Sequence, residues 1–195
     1  KVVYLYATNR EEQHGFIEPA RERGYDILLL DTPIDSHFVN MLESSDEKIS
    51  FVRVDAAVTD KLIDKSEELP SKLSDADRDR IRPVLEKHLD SGSFQVSFEN
   101  LSETDHPMVI IQPEFMRRMK DMSVLGGMNF MGHMPDSYQL VVNNNHPLIV
   151  RLASETNGDV VDSQLQQLID LALLSKNMLK GEKLTRFIRR SVELF

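Results

Sequence analysis

The loop after the second predicted strand carries residues that could do acid–base chemistry. Asp31, Asp35 and His37 are side chains that act as general acids, general bases or metal ligands. Active sites of α/β proteins often lie at the carboxyl ends of strands. No nucleophile or glycine-rich loop accompanies these residues. An α/β enzyme domain that uses the Asp31–His37 loop, with the second half of the chain as an accessory lid, is therefore an alternative hypothesis for function.

The patterns of other well-known catalytic sites are missing from the sequence. It has no G-x-S-x-G, H-E-x-x-H, P-loop or G-x-G-x-x-G pattern. The six histidines are dispersed, and none is paired at the spacing of metal ligands. Without any cysteine, the chain has neither disulfides nor a thiolate site. We therefore expect no catalytic residue, no metal site and no cofactor in this chain.

A cluster of methionines distinguishes the second half of the chain. Six of the nine methionines lie between Met116 and Met134. At about 100° per residue, Phe115, Met119 and Met122 share one face of a predicted helix, and charged side chains lie opposite. The predicted apolar surface consists of Phe115, Met116, Met119, Met122 and Leu125.

The residues alone leave two interpretations of this methionine surface open. Methionines on one face of a helix most often belong to the core. Unbranched thioethers can also repack against many partners, which is typical of an adaptable binding surface. Leu, Ile and Val, which would specify a fixed core better, are nearly absent from the stretch, and Gly126 and Gly127 follow the helix. Both features favour the binding surface.

The last two predicted helices, about Asp162–Asn177 and Glu182–Leu194, are unusually apolar for a chain terminus. An internal core could absorb one such helix, but two in succession favour a helical interface between two copies. Burying each large side chain there contributes about 1.5–3 kcal/mol before entropic costs. The residues predicted to form the interface are Leu165, Leu168, Ile169, Ala172, Leu173, Leu184, Phe187, Ile188 and Val192.

Strand and helix patterns alternate in the first part of the chain. Lys1–Tyr6 and Tyr25–Leu30 are predicted as buried strands. Glu11–Arg23 and Asp35–Ser44 are predicted as helices. Short links between alternating strands and helices indicate a small parallel α/β unit. The chain opens on an apolar strand without an initiator methionine, so we expect a fragment of a longer protein.

A charged stretch separates this unit from the second part of the chain. Glu43–Asp79 contains eleven acidic and six basic residues, which is typical of a solvated face or a connector. A helix, three strands and then further helices predict an α+β domain beyond it. The expected organisation is a small α/β subdomain at 1–60, an acidic connector at 61–76 and an α+β domain at 77–195 that ends in dimerisation helices.

Three asparagines precede a predicted helix in this second domain. Asn143–Asn145 are followed by His146 and Pro147, and the run could be mistaken for a binding loop. Asparagine tolerates left-handed backbone and caps helices, and proline suits the first helical turn. We therefore predict a turn that leads into a helix at Leu148–Ser154.

Charge and hydropathy argue against two classes of partner. A net charge of −9 does not suit a nucleic-acid or anionic-membrane surface, which needs clustered Lys and Arg. The longest apolar run, Val2–Ala7, is too short to cross a bilayer. No signal-peptide pattern opens the chain and it lacks cysteine, so we expect a reducing cytoplasm.

Several segments together resemble one known family. Early segments are Tyr4–Tyr6, Gly24–Leu28 and Pro33–Asp35, and Thr104–Pro107 leads to the Phe115–Met122 helix. Later segments are Met131–Met134, Asn143–Ile149, Leu171–Ser175 and Phe187–Arg190. Their order and spacing resemble, over essentially the whole chain, the ninety-kilodalton heat-shock chaperones (Hsp90), which are called HtpG in bacteria. The match covers the end of the middle domain and the C-terminal dimerisation domain.

The resemblance implies a function that the residues alone do not show. Members are homodimers held by a four-helix bundle from the last two helices of each subunit. The helix equivalent to Phe115–Met122 faces the cleft between subunits and contributes to binding unfolded client proteins. ATP and magnesium bind in an N-terminal domain that this sequence does not contain, so the fragment is not expected to hydrolyse ATP. A purely structural dimerisation domain is a third interpretation, in which the methionines are incidental.

Overall fold

The structure, a computed structural model, describes residues 1–32, 34–57, 69–113 and 137–193. The chain divides into two compact units. Unit 1 consists of Lys1–Ser66 and Ile111–Ser137, and unit 2 consists of Glu67–Ile110 and Tyr138–Phe195. Each unit has its own hydrophobic core in the described ranges.

Unit 1 is built on a parallel sheet of three strands. The central strand is β1 (Val2–Ala7), which lies between β2 (Ile27–Leu29) and β3 (Ile49–Arg53). Two helices connect the strands, α1 (His14–Glu22) and α2 (Asp35–Ser45). The β-branched and aromatic side chains of β1 suit a pleated strand, and its last three residues, Leu5, Tyr6 and Ala7, are buried.

The two helices of unit 1 cover opposite faces of this sheet, because successive side chains of a strand point to opposite sides. Leu5 of β1 packs with Ile17 of α1. Tyr6, the next residue of β1, packs with Phe51 of β3 and Val39 of α2. The predicted small α/β unit of parallel strands with flanking helices is confirmed.

Strand β2 differs from its predicted environment. The prediction placed a buried strand at Tyr25–Leu30, but Leu28 and Leu29 are 45% and 46% exposed. β2 is an edge strand of the sheet, so only β1 pairs with it among the described residues. The prediction of burial is wrong, because an apolar run does not distinguish a central strand from an edge strand.

Strand β3 is missing from the sequence prediction. It lies inside the charged stretch Glu43–Asp79, which was interpreted as a solvated face or a connector. Phe51 at its centre is buried, and its amide donates a hydrogen bond to the carboxylate of Glu43 at 2.6 Å. The charged residues on both sides of β3 concealed a short strand that completes the sheet.

Unit 2 combines a second sheet with helices. The sheet has the order β4-β6-β5, and β4 runs parallel to β6. The strands are β4 (Phe94–Glu99), β5 (Met108–Ile111) and β6 (Tyr138–Asn143). The described helices are α3 (Asp75–His88), α4 (Pro147–Ser154), α5 (Gly158–Ser175) and α6 (Gly181–Val192). The predicted α+β architecture with helices towards the end of the chain is confirmed.

One apolar core joins the helices of unit 2 to its sheet. Its fully buried members include Ile81 and Leu85 of α3, Leu140 of β6, Ile149 of α4 and Leu165 of α5. Ile81 and Leu85 are four residues apart, which places them on one apolar face of α3. None of the described helices has both the length and the apolar character that a membrane crossing needs.

Side-chain caps begin three of these helices, α3, α4 and α5, and Asn157 is the cap of α5. The hydroxyl of Ser74 accepts a hydrogen bond from the amide of Asp77 at 3.1 Å, and the Asp77 carboxylate accepts one in return. At α4, Nδ1 of His146 accepts a hydrogen bond from the amide of Leu148 at 3.1 Å. Burial, and then the nearby charge of His106, lowers the pKa of His146. A lowered pKa favours the neutral imidazole, which this cap requires.

The three asparagines Asn143–Asn145 are at most 4% exposed and fasten two loop segments. The amide group of the first donates to the carbonyl of Ser102 at 2.8 Å. The third donates to the carbonyl of Leu101 at 3.0 Å and accepts from the backbone amide of Lys72 at 2.9 Å. The predicted helix start at this point is confirmed. The asparagines also pair buried backbone groups, a role that turn propensity did not predict.

Replacing Asn145 should therefore destabilise unit 2 more than replacing its neighbour. We expect Asn145→Ala to lower the free energy of unfolding by about 2–3 kcal/mol, because two backbone groups lose their partner. Asn144→Ala should cost about 1 kcal/mol, because it loses one bond to the side chain of Asn100. Urea denaturation followed by circular dichroism measures both. Equal losses of unfolding free energy in the two variants would contradict the role of Asn145 as the partner of two backbone groups.

Candidate functional site

The Asp31–His37 loop does not assemble an acid–base site. The carboxylate of Asp35 accepts a hydrogen bond from the backbone amide of Thr32 at 2.8 Å, so it is engaged in a local turn contact. Asp31 and His37 are exposed. Among the described residues, no group of three His, Asp or Glu side chains could hold a metal ion. The geometry gives the enzyme hypothesis no support.

The predicted client-contacting residues lie outside the described residues. They are Phe115, Met116, Met119, Met122 and Leu125, all within the range 114–136. Their role stays a prediction. Among the described helices, large apolar side chains are exposed on α2 in unit 1 and on α5 and α6 in unit 2.

Most of the predicted interface residues lie in the core of their own chain. Leu165, Ile169, Ala172, Leu173 and Phe187 are at most 7% exposed, and Leu168 and Leu184 pack against the same core. The remaining two, Ile188 and Val192, are 52% and 66% exposed. The apolar residues predicted on these helices therefore belong mainly to the faces that pack against the core of the same chain.

Polar side chains fix how α5 and α6 lie on each other. The side-chain amide of Gln167 donates to the hydroxyl of Ser191 at 2.9 Å. The guanidinium of Arg190 donates to the Gln167 side chain at 3.2 Å and forms an ion pair with Asp170. Asp170 is buried, so this carboxylate depends on its partner. The order of the paired residues shows that the two helices are antiparallel.

Each of α5 and α6 has two large apolar side chains that are exposed and lie outside the core cluster of unit 2. We call Leu171, Leu174, Ile188 and Val192 the terminal strip, and all four are exposed. Spacings of three and four residues place each pair on one helix face. The antiparallel register puts Leu171 at the level of Ile188. Leu171 and Leu174 are not among the predicted interface residues, although both occur in a helix that was predicted as apolar.

A second exposed apolar surface lies on α2 in unit 1. Ile34, Phe38 and Met41 are 71%, 47% and 58% exposed. Their spacing of four and three residues places them on one face, which we call the α2 surface. Val39 and Leu42 pack towards the sheet on another face. The α2 surface was not predicted from the sequence. The sequence feature that could have indicated it is a short helix with apolar residues on two sides.

The ion pair between α5 and α6 should be a strong contributor to stability. Asp170→Ala leaves the partly buried Arg190 without its carboxylate, and we expect a loss of about 2–3 kcal/mol in the free energy of unfolding. Glu182→Ala removes an ion pair with Arg186 whose side chains are 76% and 63% exposed, and should cost less than about 0.5 kcal/mol. Chemical denaturation compares the two. A loss for Asp170→Ala no larger than that for Glu182→Ala would refute the role of the pair.

Comparison with known proteins identifies a family with a similar sequence. The sequence model of the family described as Hsp90 protein matches residues 1–186. Chaperone protein HtpG of Porphyromonas gingivalis is 35% identical over 100% of this chain. Chaperone protein HtpG of Bacteroides thetaiotaomicron is 33% identical over 99% of it. The putative heat shock protein HSP 90-beta-3 of Homo sapiens is 24% identical over 88%.

The chain spans only part of the length of these relatives. It covers 38% of each of the two bacterial proteins and 30% of the human one. The identities above 30% extend from end to end of the chain, and the family match includes both compact units. The chain therefore belongs to the Hsp90 family of chaperones.

Proposed function

We propose that this chain provides homodimerisation and part of the client-binding surface of an ATP-dependent molecular chaperone. The observation that carries the proposal is the exposure of apolar side chains on two helical surfaces, the terminal strip and the α2 surface. Grouped exposed apolar side chains mark sites of association. Residues 1–60 close the middle domain in this proposal, 61–76 form a connector and 77–195 form the C-terminal dimerisation domain.

The terminal strip supports homodimerisation. Other apolar side chains of α5 and α6 pack in the core of unit 2, so the strip is the exposed apolar area of the described residues of these two helices. In a symmetric dimer the same patch serves both copies, and two helices from each copy form a four-helix arrangement. The strip residues then contact the second copy. The predicted residues Leu165 and Phe187 instead stabilise the helices from within.

The α2 surface supports binding of unfolded polypeptides. Phe38 offers a large aromatic area, and the flexible thioether of Met41 adapts to different shapes. Ile34 completes a surface whose three side chains carry no hydrogen-bond donor. Such a surface binds apolar segments without requiring a particular sequence. The predicted helix around Phe115–Met122, with Leu125, would supply a second patch of the same chemistry.

ATP hydrolysis enters the proposal only through a longer protein. The HtpG relatives are much longer than the segment that matches this chain. The family resemblance implies that ATP and magnesium bind in a separate N-terminal domain. We therefore assign no catalytic residue and no cofactor to this chain, and propose the cytoplasm as its compartment.

Charged substitutions in the terminal strip should convert a dimer into monomers. Ile188→Asp with Val192→Asp removes about 1.5–3 kcal/mol per buried side chain. Each change occurs twice in a symmetric dimer, so we expect the dissociation constant to rise at least about 100-fold. Light scattering coupled to size-exclusion chromatography at micromolar concentration measures the mass.

The matched control for the dimer experiment changes charge on the other side of α6. Lys183→Gln with Arg186→Gln alters the net charge by the same two units, and both residues are exposed. We expect this variant to remain a dimer. A monomeric unmodified chain, or a dimeric Ile188→Asp, Val192→Asp variant, would refute homodimerisation through the strip.

Polar substitutions on the α2 surface should weaken client capture. We expect Ile34→Ser with Phe38→Ser to reduce affinity for reduced, carboxymethylated lactalbumin, an unfolded protein, about tenfold. Fluorescence anisotropy of the labelled lactalbumin measures binding, and circular dichroism checks the fold. Glu18→Gln with Glu22→Gln on α1 is the control, because α1 covers the other face of the sheet. Full capture by the Ile34→Ser, Phe38→Ser variant would rule out this surface as a binding site.

A further inference from the structure

The described methionines differ sharply in exposure. Met108 is 5% exposed in the core of unit 2, and Met178 is partly buried against the same core. Met41 is 58% exposed on the α2 surface. Oxidation of a thioether depends on access of the oxidant to sulfur. Met41 is therefore the described methionine that an oxidant reaches most easily.

We propose that Met41 is an oxidation site through which peroxide weakens binding at the α2 surface. The inference rests on the proposed function of that surface. Hydrogen peroxide transfers one oxygen atom to the sulfur. The O–O bond breaks, an S–O bond forms, the sulfur loses two electrons and water is released. A thiol-dependent sulfoxide reductase reverses the step, with two thiols supplying the electrons and the oxygen leaving as water.

The chemical change would act directly on binding because of where Met41 lies. The sulfoxide oxygen is a hydrogen-bond acceptor, whereas the side chains of Ile34 and Phe38 carry no donor. When an apolar client segment covers the surface, this oxygen loses water and gains no partner. We expect capture to weaken about tenfold. The fold should be unaffected, because Met41 is exposed and lies outside the buried core clusters.

The experiment follows oxidation and client capture together in the full chain. Samples are treated with hydrogen peroxide over time, and peptide mapping by mass spectrometry reports oxygen addition at each methionine. Capture of reduced, carboxymethylated lactalbumin is measured before and after treatment. We expect Met41 to be oxidised before Met108 and Met178. Capture by the unmodified chain should fall about tenfold and return after treatment with a sulfoxide reductase.

Two variants separate Met41 from the other methionines. Met41→Leu keeps the apolar surface and cannot be oxidised there, so peroxide should reduce its capture clearly less than that of the unmodified chain. Met41→Gln should bind weakly without any oxidant. If peroxide lowers capture by Met41→Leu as much as by the unmodified chain, the proposal is overturned. Oxidation of Met108 or Met178 as fast as Met41 would also overturn it.

The same assay distinguishes failure of the Met41 oxidation proposal from failure of the proposed function. Full capture by the unoxidised Ile34→Ser, Phe38→Ser variant shows that the α2 surface does not bind clients, and this result refutes both proposals. If that variant loses capture but the chain without substitutions still captures fully after oxidation, only the Met41 oxidation proposal is overturned.

Discussion

The ion pair between Asp170 and Arg190 sets the arrangement of the last two helices. A carboxylate that is 5% exposed has lost most of its water, so its burial is favourable only when a cation replaces that water. The pair, with the Gln167 bonds, holds α6 antiparallel on α5. In this arrangement Phe187 lies in the core and Ile188 lies outside. A polar contact thus contributes to which apolar side chains of α6 are buried and which remain exposed.

Unit 1 divides its apolar side chains in the same way. On α2, Val39 packs against the sheet, whereas Phe38 and Met41 remain exposed. A helix needs one apolar face to join its own core, so a second apolar face is unnecessary for the fold. Exposed apolar area of this kind lowers solubility and is retained where binding requires it. The proposed client binding would supply such a requirement.

The sequence predicted which segments are helices and strands better than it predicted which of their side chains are buried. Alternating strands and helices indicated the parallel unit, and the spacing around Leu165 and Phe187 indicated two apolar helices. Periodicity shows that a helix has an apolar side, but it cannot show whether the same chain or another copy covers that side. For this reason the predicted interface combines the exposed Ile188 with the buried Leu165. β3 was missed because charged neighbours outweighed its short apolar pattern.

The protection of single thiols on α6 tests most directly whether the terminal strip meets a second copy. Because the chain contains no cysteine, Ile188→Cys and Lys183→Cys each introduce one reactive site. The alkylation rate of each is measured across a range of protein concentrations. The account predicts that the rate at position 188 falls as the concentration rises, while the rate at position 183 does not change. Equal rates that are independent of concentration at both positions would contradict it.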